Sequence, residues 1–412
     1  MVNFVKDDEM NETELFQMAL GLAEPWRVVR SSFDVQKSRL DIKIDFPRGS
    51  RFRCPVCGEL CAAYDTSDKT WRHLSFFQHE AYLHARVPRV NCDACGVKQI
   101  GVPWAREDSG FTLLFEAYVM SMVLVMPVNN VAQKINEHDT RLWRIVLHYV
   151  EKARDRSVFS AVIRAAFDET SARKGHDYVT LFSDLDTRRV IFVADGKDSS
   201  TVEAFAADLK AHGGDPDAIA EVCIDMSGAF IKGTAEHLPN AQITFDKFHA
   251  VKIINDAVDE VRRGEQKTHP ELKKTRYIWL KNSTNLTQPQ QETLGSLSKS
   301  NLKTARAYQM RLTFQDMYSQ QTRADGEAFL KKWYFWATHS RLQPMIDAAK
   351  TVKRHWDGIL RWFDSKIANG FMEGINSLVQ AAKAKARGYR NRKTLKAVTY
   401  LIAGKLDLRL PT

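Results

Sequence analysis

The chain has 412 residues, more than a single hydrophobic core commonly serves, so two to four domains are expected. Its 44% hydrophobic and 27% charged residues are typical of folded globular proteins and exclude a disordered, collagen-like or fibrous chain. The net charge of +10 points to a polyanionic partner, and its distribution sharpens that: residues 351–412 hold 13 Lys or Arg against 4 Asp or Glu, leaving +9 there.

The N-terminal segment, residues 1–50, opens on the acidic stretch MVNFVKDDEMNE with no apolar run behind it, so a secretory leader is not expected. Helix-like sequence follows from Glu12 to Leu22 and strand-like sequence from Arg27 to Phe46.

Residues 51–106 read as a zinc-binding module. Cys54-Pro-Val-Cys57-Gly and Cys92-Asp-Ala-Cys95-Gly each put two thiolates on a tight turn, where the following glycine permits a positive φ. Two such knuckles complete a tetrahedral four-cysteine site, and the 34 residues between them include β-like sequence from Trp71 to Val87 that predicts the hairpin of a zinc ribbon. Cys61, His79 and His84 are rival ligands, but a lone Cys or His in a β segment is more often a packed side chain. A closed site of this kind is structural, since no position is left open for chemistry.

Residues 107–157 are strongly helical and predict a helix-turn-helix. The longest apolar run, Ala117 to Met126, stops at Pro127 and is too short to cross a bilayer, so it is expected as a buried helix, with no membrane partner. PVNNVAQKI, a polar break from Asn136 to Asp139, and TRLWRIVLHYVEKAR come next. Thr140 or Asp139 can cap the last helix, which places Arg141 and Arg144 in its first turns, where a recognition helix contacts DNA. A plain helical hairpin with a polar turn has the same pattern.

Residues 158–250 change texture. The β-rich runs VIRAAFDE, YVTLFSDL and RRVIFVA precede a helix pattern, the run AEVCIDM, another helix and AQITFDKFH. That order predicts an α/β domain with a mixed sheet. Asp168 and Asp225 each close an apolar run, so both are expected at strand ends of one sheet, where α/β sites are built. Residues 251–365 are helical in character, and residues 366–412 hold a final helix, opened near Glu373 and ended by Gly388, with a basic tail.

Four ordered motifs carry a resemblance that covers nearly the whole chain. They are the run from Asp168 to His176 (DETSARKGH), Ile224-Asp225-Met226-Ser227, the block from Leu238 to His249 ending in DKFH, and Asn369-Gly-Phe-Met-Glu373-Gly-Ile-Asn376 with Gly388-Tyr-Arg-Asn391. Together they resemble the bacterial insertion-sequence DDE transposases that have an N-terminal zinc-finger domain. The resemblance implies a ribonuclease-H-like catalytic core, interrupted by an α-helical insertion between the second Asp and the Glu, with Asp168, Asp225 and Glu373 as the acidic triad. It also implies binding to transposon ends and target DNA, a homodimer on DNA, and a bacterial protein that is cytoplasmic and nucleoid-associated.

The chemistry points to the same acids. Phosphodiester hydrolysis and strand transfer use two hard cations about 4 Å apart, and carboxylates are the ligands that suit Mg²⁺, with Mn²⁺ as an alternative ion. Asp168 is expected to bridge both ions, while Asp225 and Glu373 each complete one. Water attacks first, then the freed 3′-hydroxyl attacks target DNA. In related transposase superfamilies a segment like Asp246-x-x-His249 lies near the active site, which implies a supporting role in contacting DNA or a flipped base; an N-capping Asp is the plain alternative. On the last helix Gln380, Lys383 and Arg387 share a face with Glu373, where phosphates would meet them, and Tyr389 and Arg390 add stacking and a phosphate contact. Two rivals are a catalytically inactive zinc-containing DNA-binding regulator, which needs no triad, and a metal-dependent nuclease without joining activity, which needs no large helical insertion.

Overall fold

The computed structural model describes residues 11–173, 175–367 and 370–411. The acidic start through Met10, Lys174 of the Asp168–His176 run, and Asn369 of the last motif lie outside them. Two compact units are distinguished, one reaching to Tyr149 and the other running from Val150 to Asp407.

In the first unit, α1 (Glu12–Ala19) is opened by a capping box in which Asn11 and Glu14 satisfy each other's backbone N–H. Strands β1 (Arg27–Asp34), β2 (Arg39–Asp45), β3 (Arg51–Arg53), β4 (Leu60–Phe76), β5 (His79–Cys92) and β6 (Gly96–Gln99) form one sheet in the order β1-β2-β5-β4-β3, with β6 on β5. Only β2 and β5 run parallel. Ala81, Leu83, Ala85 and Val87 of β5 alternate into a core with Trp26, Trp71 and Trp104, as the two-residue period of a strand requires.

Helices α2 (Leu113–Val123), α3 (Val128–Ile135) and α4 (Asp139–Asp155) follow. The turn between α3 and α4 is made by Asn136 in the left-handed region, φ 54. Asp139 is the first residue of α4 rather than its cap, and His138 Nδ1 lies 3.3 Å from the Thr140 N–H. The fully buried carboxylate of Glu116 in α2 accepts from Arg106 Nε (2.9 and 3.0 Å), Ser109 Oγ (2.6 Å) and Tyr149 OH (3.1 Å), so its charge is paired rather than orphaned.

The second unit is built on β7 (Arg164–Arg173), β8 (Asp177–Asp184), β9 (Arg189–Asp195), α5 (Ser200–Ala211), β10 (Glu221–Ile224), α6 (Gly228–His237) and β11 (Gln242–Phe245), in the order the sequence predicts. The sheet reads β11-β10-β7-β8-β9. β7, β8 and β9 are an antiparallel meander, and β10 and β11 add parallel to β7 on its other side. Phe167, Phe182, Phe205 and Phe230 pack between the sheet and α5 and α6, with Phe182 and Phe205 stacked at 4.6 Å.

After β11 come α7 (Lys247–Glu265), α8 (Arg276–Leu280), α9 (Gln288–Ser298), α10 (Lys303–Met317), α11 (Arg323–Thr338), α12 (Gln343–Arg354), α13 (Trp356–Leu360) and α14 (Trp362–Ser365). These helices share the core cluster of the sheet. Gly358 of α13 sits where any Cβ would lie 2.4 Å from the Phe245 ring, so the approach of α13 to β11 needs glycine there. The chain returns through α15 (Gly370–Lys385), which lies along β7, and α16 (Arg392–Ala403), which packs on β9. No helix among the described residues is long and apolar enough to cross a membrane.

Candidate active site and cysteine cluster

The parallel strands align three aspartates. Glu221 of β10 pairs with Arg164 of β7 and with Gln242 of β11, and the same registers carried four residues onward set Asp225 level with Asp168 and with Asp246. Asp168, Asp225 and Asp246 therefore stand abreast on neighbouring strands, whose spacing is about 4.8 Å. The Asp246 N–H donates to Ile224 O at 2.9 Å, which extends the ladder to that level. Asp225 and Asp246 each follow the last residue of a strand, whereas Asp168 lies in the middle of β7 rather than at its end, because β7 continues to Arg173 as the partner of β8.

Neighbouring residues on β7 face opposite ways. Phe167 enters the core under α5 and α6, while Asp168 and Thr170 face α15. Asn376 Nδ2 donates to Asp168 Oδ2 at 2.6 Å, Gln380 Nε2 to Thr170 Oγ1 at 2.8 Å, and Lys383 Nζ to the Ser171 carbonyl at 2.6 Å, so α15 runs alongside β7 in the same direction. Glu373 lies one turn before Asn376 on the same helix, and of the acids it is Asp246 whose charge acts on it.

The acids and His249 feel one another. Burial holds the Asp168 carboxyl up at about 6; His249 opposes the rise, and Glu169 and Asp225 add to it. Burial also raises Glu373, with Asp246 adding to the rise and His249 opposing it. His249 is pushed up by its hydrogen bond to Asp246, and further by the charges of Asp246, Asp168 and Asp225. Among the described residues no three carboxylates have oxygens all within 4.8 Å of one another. Glu373 Oε1 and Asn376 Oδ1 are both buried with no hydrogen-bond partner among the described residues. An all-oxygen donor set with an orphaned carboxylate oxygen suits a hard divalent cation.

Asp184 and Asp186 belong elsewhere: Asp184 pairs across from Ala165, at the far end of β7, and Asp186 pairs with Arg164. Glu169 is half-buried, and burial raises its carboxyl, with the charge of Asp225 adding to the rise. Asn376 has no role in the sequence reading. Its only signal there is its offset of three from Glu373 in the same motif.

The helix that holds Glu373 ends at Lys385, short of Arg387, and is not the last, because α16 forms where the sequence suggested a basic tail; the basic groups gather where α15 ends. Arg173, Lys383, Arg387, Tyr389 and Arg390 line a groove of about 640 Å³ at the end of α15. Arg387 has φ 56 and Gly388 φ 95, so the chain turns sharply here and presents the basic residues together. Burial lowers Lys383 and raises Tyr389. Arg173, which donates to the Arg390 carbonyl, is a member that the sequence reading did not single out.

In the first unit the two cysteine knuckles lie after β3 and between β5 and β6. The Sγ atoms of Cys54, Cys57, Cys92 and Cys95 all lie within 4.8 Å of one another, with Cys57 and Cys92 3.4 Å apart. Gly58 and Gly96 have φ 79 and 71, the positive values each knuckle needs. Hydrogen bonds from the backbone N–H groups of Cys57 and Val56 pull the Cys54 thiol down to about 7, which favours the thiolate a metal requires. Cys61 lies outside the quartet, and its thiol faces the Glu59 carbonyl. On α4, Arg141 pairs with Glu137 at 2.6 Å and stacks over Phe111, whereas Arg144 is exposed.

Residues 166–399 match the ISL3 transposase family. The chain belongs to that family. Residues 102–150 match the helix-turn-helix domain of the ISL3 transposases, and residues 50–95 match the zinc-finger of transposase IS204/IS1001/IS1096/IS1165. This ISL3 member is 28% identical over 386 residues to the transposase for insertion sequence element IS1557 of Mycobacterium tuberculosis strains CDC 1551/Oshkosh and H37Rv, covering 85% of both chains. It is 26% identical over 362 residues to the transposase for IS1001 of Bordetella parapertussis, covering 84% of this chain and 87% of that one.

Proposed function

We propose that the protein binds the ends of an insertion sequence and carries out metal-dependent DNA cleavage and strand transfer, with Asp168, Asp225 and Glu373 as the catalytic acids. The observation that carries this is the alignment of Asp168 with Asp225 across β7 and β10, and the Asn376 contact that ties α15, the helix of Glu373, to Asp168 supports it. The sheet order, an antiparallel meander extended by two parallel strands, supports a ribonuclease-H-like core in which the helices from α7 to α14 are an insertion.

Asp168, Asp225 and Glu373 would hold Mg²⁺, or Mn²⁺ in its place. When bound, such ions activate the attacking oxygen and stabilise the leaving one. The chain's own residues do the rest. The groove beside α15 offers Lys383, Arg387 and Arg390 to the phosphate backbone and Tyr389 to a base. His249, held by Asp246 at 3.1 Å, would leave its other ring nitrogen for a contact to DNA at the reacting end. Arg144, with Arg141 beside it, would read DNA from α4. The cysteine quartet would hold one structural zinc ion, which leaves chemistry to the acids. Two ends must be held together for joining, so a homodimer on DNA, acting in the bacterial cytoplasm on nucleoid DNA, completes the reading.

The test is to incubate the protein with its element's ends, a second DNA and Mg²⁺, and to map the products. Joined products are expected. Cleaved ends that never join would support a nuclease, and binding without any metal-dependent cleavage would support an inactive regulator.

A further inference from the structure

The carboxylate of Asp168 is gripped from two sides. Its Oδ1 accepts the Glu169 N–H at 2.9 Å, and its Oδ2 accepts the side-chain amide of Asn376 at 2.6 Å. An ionised carboxylate has only acceptors, so the amide must turn its NH₂ end to Asp168 and its oxygen away. That oxygen, Oδ1, is buried without a partner among the described residues, as is Oε1 of Glu373 one turn earlier. Buried acceptors are seldom left unpaired without a functional reason, and an apolar side chain at 376 would fill the same place without the cost.

The contact is also in register. Residues two apart on a strand are separated by about 6.6 Å, and residues four apart on a helix by about 6 Å. Asn376 and Gln380 of α15 therefore meet Asp168 and Thr170 of β7 as a matched ladder. In it, Asn376 alone touches an acid of the site.

We infer that Asn376 is a positioning residue for Asp168, which fixes the plane of that carboxylate and ties the helix carrying Glu373 to the strand carrying Asp168. The inference rests on the reading of these acids as cation-holding groups. Partners of this kind, which orient a ligand without touching the metal, commonly change metal affinity or activity by about 10- to 100-fold when removed.

The experiment uses the zinc-loaded full chain and Mn²⁺ alone as the probe, followed through the electron paramagnetic resonance signal of the free ion. Asn376→Ala, Asn376→Leu and Asp168→Ala are compared with the unaltered protein, with thermal unfolding measured beside each. Leu keeps the branched shape of Asn, with somewhat greater bulk, but cannot donate. Both Asn376 variants are expected to weaken Mn²⁺ binding by about 10- to 100-fold, and to raise the Mg²⁺ concentration for half-maximal cleavage in parallel, with the unfolding midpoint and DNA-end binding retained. Wild-type Mn²⁺ binding in either Asn376 variant, with binding lost in Asp168→Ala, overturns the positioning role and leaves the acids standing. A collapsed unfolding midpoint in both Asn376 variants overturns it in favour of packing. Undiminished binding in Asp168→Ala overturns the reading of the acids beneath it.

Discussion

His249 Nδ1 lies 3.1 Å from Oδ2 of Asp246, one turn apart at the start of α7, and the charges of Asp168 and Asp225 also act on this imidazole. The folded-state pKa of the imidazole is raised, chiefly by that hydrogen bond. A raised histidine contributes stability that is fully present below its ordinary value near 6.5 and is lost as the pH climbs through the folded value. Asp246→Asn should lower the His249 pKa, because burial then opposes the charge with less to balance it. A titration of the imidazole C–H resonances by NMR reads this directly, and an unmoved His249 would exclude Asp246 as the main cause.

Asp168 has the opposite consequence. Its carboxyl is raised from 3.8 to about 6, so the folded state binds a proton more readily than the unfolded one. Its contribution to stability therefore falls as pH rises from about 4 to about 6, and the cost is complete at neutral pH. Two pKa units correspond to about 3 kcal/mol. Asp168→Asn should stabilise the unit from Val150 onward by about 2 kcal/mol at pH 7.5 without added Mg²⁺, while abolishing cleavage. Urea unfolding of the two proteins side by side measures it, and the gap should disappear near pH 4.

The cysteine quartet predicts one zinc per chain. Cys57→Ser and Cys92→Ser should lose the metal and lower the unfolding temperature of the first unit, because zinc binding to such sites supplies folding free energy on the order of 10 kcal/mol. Cys61→Ser should keep the full metal content, since Cys61 lies outside the quartet. Elemental analysis of the purified variants decides between them.

The groove at the end of α15 predicts a salt signature. Arg387→Ala should weaken DNA binding alike for all sequences and reduce the slope of log affinity against log salt by about one unit. Lys383→Ala should reduce the slope similarly, and should also lower the thermal midpoint, because Ser171 would lose the donor 2.6 Å from its carbonyl. Fluorescence anisotropy over a range of salt concentrations supplies both slopes. An unaltered slope for Arg387→Ala would mean that this side of the groove does not meet phosphate.

Much of this protein is written locally. Each CxxC-Gly knuckle is specified by five adjacent residues, so the cysteine quartet was legible from spacing. The strand and helix order of the second unit was legible for the same reason, because side-chain periods of 2 and 3.6 are local properties. What the chain alone left open depends on pairing between distant segments. Asp168 read as a strand end because polar residues follow it, yet its partner β8 holds the strand as far as Arg173, and only that pairing sets its length. The offsets that bring Asp168, Asp225 and Asp246 abreast belong to the strand registers, not to any one strand. Asn376 lies 208 positions from Asp168, and its amide acquires a function only when α15 packs along β7 in the register that brings the two within 2.6 Å.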